Sequence, residues 1–357
     1  MPDIVILNQS RYFLLHLFTL SIIMIAFLTG ATGFVGSHVA ETLVARGYSV
    51  RCLARKTSDT KWLNHLIKAG SVQLVEGSLA HEQSLLSAVK DVDMVIHVAG
   101  VTAARSRDDF FQGNQIGTRN LLSATLHANP SVKRFLHVSS QTAVGPAYSL
   151  ATPATSDTPC RPITTYGESK KAAEDEVLAL QHQLPVTIVR PPAVYGQRDT
   201  AVFDYFKAVN NGLAPLIGFD TKYVSLVHAE DLARGIVEAA ESEHTISKSY
   251  FVSSDEFYTW PQITAITKRI LDKKFVLQLR LPHGLVMGIA GISGFFGRFS
   301  TKPPVLDFEK GRDIIQSYWI CSTQEARRDF GYTQKVSLED GIEKTIRWYR
   351  EQGWLSA

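Results

Sequence analysis

A doubly wound parallel α/β sheet of Rossmann type, with a smaller and discontinuous C-terminal substrate lobe, is the fold class this sequence predicts. Three observations predict it. An apolar, strand-like run, Met24-Ile25-Ala26-Phe27-Leu28, leads into Gly30-Ala31-Thr32-Gly33-Phe34-Val35-Gly36 and then into a helical pattern. From Met24 to about Arg190, short apolar runs alternate with amphipathic stretches. Beyond Arg190 the periodicity turns irregular, as expected of a substrate-binding lobe. At 357 residues there is room for one large or two modest domains and ample core.

The elements follow in order. After the glycine turn, Val39, Leu43 and Val44 share one side of a helix that Gly47 stops. Ser49 to Ala54 is a second strand. The runs Val72–Val75, Met94–Val98, Phe135–Val138 and Val186–Val189 read as buried parallel strands, which places ligands at their carboxyl ends. Pro153, Pro159 and Pro162 make Ala147–Ile163 a loop that feeds the helix carrying Tyr166. Tyr223–Val227 and the helix after Asp231 are expected to return to the main sheet. The dinucleotide-binding domain is therefore expected over 24–190 plus about 222–250, and the lobe over about 191–221 plus 251–357.

The N-terminus departs from this pattern. Tyr12 to Leu28 carries no formal charge, but Met24 to Thr29 is needed as the first strand. The remaining Tyr12–Ile23 is too short for a span of ~20 residues. Residues 1–23 are expected to be an extension from a start placed too far upstream, with a peripheral anchor as the alternative.

A net charge of +3 gives no nucleic-acid footprint. The three cysteines, Cys52, Cys160 and Cys321, are odd in number and lack Cys-x-x-Cys spacing, so neither a disulfide framework nor a metal site is expected. A reducing, cytoplasmic setting is.

Two stretches carry chemistry. Strand, tight glycine turn and helix form a dinucleotide-binding element, in which glycines let backbone approach a pyrophosphate and the helix N-terminus presents N–H groups to it. In Tyr166-Gly-Glu-Ser-Lys170 the tyrosine and lysine lie four apart on one helix face. An ammonium nearby favours phenolate, which makes Tyr166 a candidate acid/base for an alcohol or ketone.

The glycine turn, the serine pair in His137-Val138-Ser139-Ser140 and the downstream Tyr-x-x-x-Lys together resemble the extended short-chain dehydrogenase/reductase family. His97-Val98-Ala99-Gly100, Asn114 to Leu121, Arg190-Pro191-Pro192-Ala193-Val194-Tyr195-Gly196, Val227 to Leu232 and Ser337 to Ile342 fall in the family's order, so the resemblance spans Met24 to Trp354. It implies Ser140, Tyr166 and Lys170 as catalytic residues. Ser140 would donate to a substrate oxygen, and Lys170 would lower the Tyr166 pKa and bind the nicotinamide ribose. Gly30, Thr32, Gly33, Phe34, Val35 and Gly36 would cradle the cofactor, with Val98, Ala99, Gly100 and Asn114 beside it. Asn114 reads equally well as a buried bridge between backbone groups. Pro192, Ala193 and Val194 would line the nicotinamide face. Family members usually carry Gly-Asp-Leu after the third strand; Gly77-Ser78-Leu79 stands there instead, with Ser78 and Leu79 as the adenine-pocket positions. His97 and His228 read as structural residues without a carboxylate partner.

Arg55 ends the second strand where an acidic residue would prefer NAD. Its planar fork suits a phosphate, which favours NADP while leaving NAD open. The expected activity is hydride transfer between nicotinamide and a secondary alcohol or ketone. Val224-Ser225-Leu226-Val227-His228 lacks the diphosphate-gripping arginine typical of nucleotide-sugar epimerases, and Gln141-Thr142 stands where 4,6-dehydratases carry an acidic pair. Both absences favour a reductase similar to dihydroflavonol reductases and 3β-hydroxysteroid dehydrogenases. The short Ser140-to-Tyr166 spacing is closer to the epimerases, so an NAD-dependent sugar epimerase or dehydratase stays open, as does a non-catalytic dinucleotide-binding regulator.

Gly284 to Gly297 is uncharged and too short to span a bilayer. It reads as a packed helix, or alternatively as a membrane-facing or lipid-binding segment that would imply an apolar small-molecule substrate. The resemblance also admits a homodimer.

Overall fold

The computed structural model describes residues 24–297 and 307–356; the expectation for residues 1–23 lies outside them. Strands β1 (Ile25–Thr29), β2 (Ser49–Ala54), β3 (Val72–Glu76), β4 (Met94–His97), β5 (Arg134–Val138) and β6 (Val186–Arg190) form a parallel sheet. A later strand, β11 (Lys248–Phe251), pairs parallel with β6 and completes the seven-stranded order β11-β6-β5-β4-β1-β2-β3. The order reverses at β1, which opens a crevice between the carboxyl ends of β1 and β4.

Alternate residues of each strand face opposite layers. Leu28, Val50, Cys52, Ile96 and Leu136 join one core with Val39 and Leu43 of α1 (Phe34–Ala45) and with Leu232 and Ile236 of a later helix, α8 (Ala229–Glu241). Phe27, Leu53, Val95, Phe135 and Ile188 face the other layer, built between the strands by α3 (Gln83–Val89), α5 (Gly117–Ala128) and α6 (Thr165–Ala179). Short helices α2 (Asn64–Lys68) and α4 (Arg107–Phe111) complete this half. The run at Val72, expected to be fully buried, is the edge strand: Leu74 is 37% exposed because β3 has a neighbour on one side only.

The second half is a patchwork of small sheets. β7 (Ala193–Tyr195) pairs with β10 (Leu226–His228), and β8 (Leu213–Ile217) with β13 (Leu277–Leu281). β9 (Tyr223–Val224) lies between β12 (Tyr258–Thr259) and β14 (Tyr318–Trp319). Helices α7 (Phe203–Asn210), α9 (Trp260–Ile270) and α13 (Leu338–Glu351) enclose a third core of Phe206, Ile263, Ile342 and Tyr349. The expectation that Tyr223–Val227 rejoins the main sheet is corrected: those residues pair within the small sheets, and α8 with β11 makes the return. A short apolar run fixes burial but not which sheet it enters.

Helix α10 (His283–Gly297) buries Val286 and Ala290 and exposes Leu285, Ile289 and Ile292. Its Ala290 and Met287 lie against Gly311 of α11 (Phe308–Ile314), which precedes α12 (Gln324–Phe330). The segment is thus both packed and partly apolar to the outside. Among the described residues no helix is long and apolar enough to cross a membrane.

Candidate active site

The first loop at the crevice is set by close backbone packing. Gly30 has φ +76°, and a Cβ there would lie 2.6 Å from the Ala99 amide nitrogen. A Cβ on Gly36 would lie 2.1 Å from the Gly30 carbonyl oxygen. Only glycine permits this turn and the helix packed on it. Gly33 is the N-cap of α1, so the helix start has no capping hydroxyl or carboxylate, and no acid occupies its first turn. Those free N–H groups and the helix dipole suit an anion.

Beside this turn lies a cavity of about 400 Å³. Of the sequence-expected residues, Gly30, Thr32, Arg55, Ser78, Leu79, Ala99 and Gly100 line it. Ser58, Gln112 and Gly113 line it too, although the sequence did not point to them. No carboxylate is among its lining residues, and Arg55 is exposed at its edge with no ion-pair partner among the described residues. The glycine cradle, the uncapped helix and the cavity together fit the adenosine and pyrophosphate of a dinucleotide.

Val101 lines this cavity and the adjacent Thr102 lines a second, larger one of about 570 Å³, so the two adjoin. Ser140, Tyr166 and Pro192 line the larger cavity with Gln141, Thr142 and Ala193. Its other wall comes from the lobe: Tyr205, Ile217, Val224, Trp260, Asp313 and Trp319. Most of that surface is apolar or aromatic.

Ser140 follows β5 and N-caps a short 3₁₀ turn, accepting from the Thr142 backbone N–H at 3.2 Å and from its hydroxyl at 2.9 Å. With its lone pairs engaged, the Ser140 proton is left to donate. Tyr166 stands in the first turn of α6, whose N-cap Thr164 accepts from Gly167 N–H at 3.1 Å. The Glu309 carboxylate of α11 also accepts from the Thr165 N–H and hydroxyl at 2.8 and 2.6 Å, which ties the lobe to the start of α6.

One turn further, Lys170 is 3% exposed and its Nζ donates to the Val138 carbonyl at 2.8 Å. Burial pulls its pKa down to about 8, partly offset by the Glu174 carboxylate. A Cβ on Gly100 would sit 3.7 Å from Lys170 Nζ and 3.1 Å from Asn114 Oδ1. Lys170 therefore lies directly behind the seam between the cavities. Burial raises the Tyr166 pKa, with the Ser140 hydroxyl pulling it down and the Asp313 carboxylate pushing it up. The net shift is therefore upward, opposite to the lowering expected from Lys170, because desolvation of the phenol dominates.

Gly33, Phe34, Val35, Gly36, Val98, Asn114, Lys170 and Val194 line neither cavity. Val35, Val98 and Val194 pack against the core. Asn114 sits in a π-helical turn (Gln112–Ile116) and makes a bridge, accepting from Val101 N–H at 2.7 Å and donating to Val101 O at 3.0 Å and Ser169 Oγ at 2.9 Å. His97 bridges Thr29 and Thr118 hydroxyls at 2.7 and 2.9 Å, and burial lowers its pKa to about 3. His228 caps α8, and burial lowers its pKa to about 4; contrary to expectation it has a carboxylate neighbour, Glu230, at 4.0 Å. The cysteines are free.

Among known proteins, a family model described as the NAD dependent epimerase/dehydratase family matches residues 26–253. A ceramide reductase of Caulobacter vibrioides is 29% identical over 92% of this chain and 95% of its own length. A decarboxylating sterol-4-alpha-carboxylate 3-dehydrogenase of Dictyostelium discoideum is 28% identical over 89% of this chain and 98% of its own. The crystal structure of gox2253 superposes with a TM-score of 0.78 at 28% identity, over 93% of this chain and 99% of that one.

Proposed function

Because the chain belongs to the NAD dependent epimerase/dehydratase family, we propose that it works there as an NADPH-dependent reductase of a lipid-like ketone. It is an NAD(P)-dependent oxidoreductase, in keeping with the family and with relatives named as a reductase and a dehydrogenase. The observation that carries the finer reading is the larger cavity: an apolar chamber of about 570 Å³ with the Ser140 and Tyr166 side chains in its wall.

The bound nicotinamide would supply the hydride to the carbonyl carbon. Ser140 would donate a hydrogen bond to the substrate oxygen and Tyr166 would deliver the proton to it. Burial that raises the Tyr166 pKa favours the phenol, the form a proton donor needs. Lys170 places a positive charge behind the nicotinamide end of the seam, held there by Val138. Gly30 to Gly36 and the α1 N-terminus would take the pyrophosphate. Arg55, with no carboxylate in its cavity, would take a ribose 2′-phosphate and favour NADP.

Substrate class rests on the lining and on the relatives, whose names place a ceramide and a sterol derivative in their sites. Exposed Leu285, Ile289 and Ile292 fit peripheral contact with a lipid surface. A nucleotide sugar is the poorer fit. Lys222 is the only cation in the cavity wall among the described residues, and its ammonium is committed to the Ile315 carbonyl and to Asp220. Residues 24–190 with α8 and β11 would act as the dinucleotide unit and the small sheets as the substrate lobe, in a cytoplasmic setting that the free cysteines suit.

The test is NADPH oxidation by the purified full-length protein with a panel of long-chain and steroid ketones. Turnover supports the reading. Turnover only of UDP- or dTDP-sugars, with no net cofactor consumed, would replace it with the epimerase or dehydratase reading.

A further inference from the structure

Most of the large apolar side chains exposed among the described residues gather on one part of the lobe. Leu285, Ile289 and Ile292 of α10 lie at i, i+4 and i+7, so they share one helix face. The opposite face is engaged by α11, with Met287 and Ala290 against Gly311. α10 carries no Asp, Glu, Lys or Arg, whereas the outer face of a helix packed on a globular protein is ordinarily polar or charged. The second component is β13. Its register against β8 sets Leu277, Leu279 and Leu281 beside Leu213, Pro215 and Ile217 on one face of the two-stranded sheet. Leu213, Leu277 and Leu279 are exposed there, and Phe275, just before β13, is 71% exposed.

Helix and sheet meet at the end of β8. The Gly218 N–H donates to the Leu281 carbonyl at 2.8 Å, and a Cβ on Gly218 would lie 2.2 Å from Nε2 of His283, the first residue of α10. Phe219, next in the chain, is 72% exposed. The apolar strip also leads inward. Pro215 and Ile217 line the larger cavity, as does Ile314 of α11, while Leu213 on the same strand face is exposed. One strand face thus runs from the outer surface to the cavity wall.

The surround is basic. Residues 268–292 hold Lys268, Arg269, Lys273, Lys274 and Arg280 against the single acid Asp272, in a chain whose net charge is only +3. Nearby acids are already engaged: Glu339 pairs with Arg269 at 2.7 Å, and Asp220 takes Lys222 at 3.2 Å and His283 at 3.3 Å. Lys268, Lys273, Lys274 and Arg280 have no ion-pair partner among the described residues. We propose that this face docks on an anionic phospholipid bilayer, and that the β8–β13 strip is the path by which an apolar substrate passes from bilayer to cavity. Charge complementarity selects that occupant. A second copy docked about a two-fold axis would bring the same cations against one another, whereas anionic headgroups neutralise them. Exposed apolar side chains and a basic surround supply the two signals that stable surface binding takes. The path rests on the reading of the site as that of a lipid-like ketone; the docking does not.

The experiment sediments the full-length protein with phosphatidylcholine vesicles, with and without about 30 mol % phosphatidylglycerol. Partition to the anionic vesicles should exceed that to the neutral ones by about tenfold or more, and should fall as salt is raised. Lys273→Glu with Lys274→Glu, and separately Ile289→Ser with Ile292→Ser, should each cut it by about tenfold or more. NADPH affinity and turnover of a short, water-soluble ketone should stay as in the unaltered protein, while turnover of a long-chain ketone held in the anionic vesicles falls with the binding. Equal partition to both kinds of vesicle, or unchanged partition in both variants, overturns the docking. So does a dimer dispersed by Ile289→Ser with Ile292→Ser in protein that binds no vesicle, which gives the face to a second copy. Full turnover of the vesicle-held ketone by a variant that no longer binds overturns the path. If the serine variant fails to fold, the lysine variant and the salt dependence of the unaltered protein decide. Vesicle binding without turnover of any ketone upholds the docking and removes the reductase reading.

Discussion

The Lys170 ammonium on α6 donates to the Val138 carbonyl, the last residue of β5, at 2.8 Å. One bond thus fixes the helix that carries Tyr166 against the strand that delivers Ser140. The contact buries a charge. Folded-state pKa falls to about 8 from an ordinary 10.5, so between those values the unfolded protein binds more protons than the folded one. The Lys170 contribution to stability should therefore rise with pH from about 8 to about 10.5, by an amount of order 3 kcal/mol, against the opposite trend of the buried cysteines and tyrosines whose pKa burial raises. Urea midpoints measured across that window for the native protein and Lys170→Met check it: the extra rise belongs to the native protein alone.

Tyr166→Phe removes the proton donor while keeping the ring that packs 6.1 Å from Phe110. Turnover should fall by about 10²–10⁴-fold, with dinucleotide affinity nearly intact. Steady-state kinetics beside a fluorescence titration separates the two effects.

Arg55→Asp places a carboxylate at the edge of the smaller cavity, which has none in its lining. NADPH affinity should drop by about tenfold or more, from loss of a charge-assisted contact, while NADH affinity changes little or improves. Equal losses for both cofactors would remove Arg55 from phosphate recognition.

Arg190 and Glu174 form a buried two-bond ion pair at 2.9 and 2.7 Å, with the side chains only 5% and 1% exposed. The pair joins β6 to α6 below the site. Arg190→Ala should cost about 3–5 kcal/mol of stability, because Glu174 is left charged and buried. In a double-mutant cycle with Glu174→Ala, the double variant should lose less than the sum of the two singles.

Local spacing made much of this legible in the sequence. Gly30 to Gly36, Ser140 after β5 and the Tyr166–Lys170 pair are each fixed by a few consecutive residues, and their elements fold where periodicity places them. What spacing could not give was the far wall. Asp313, Trp260 and Trp319 come from distant segments, brought to the site by Glu309 bonding the Thr165 backbone and by β14 pairing with β9. The acid in that wall had no signal of its own, because an aspartate in an amphipathic helix ordinarily faces water. Asp231 makes the converse point. It belongs to a quoted motif, yet it accepts from the backbone of Lys335 and Val336 at 3.0 and 2.8 Å and holds the segment that follows α12.

Direct hydride tracing tests the central claim most closely. The full-length protein is incubated with NADPH deuterated on the transferred C4 face and a long-chain ketone, and the product is analysed by mass spectrometry. Deuterium is expected on the carbinol carbon, one atom per cofactor oxidised, with no label in product from Tyr166→Phe above its residual rate. Tightly held NAD that neither exchanges nor is consumed, while a nucleotide sugar is epimerised or dehydrated, would contradict it.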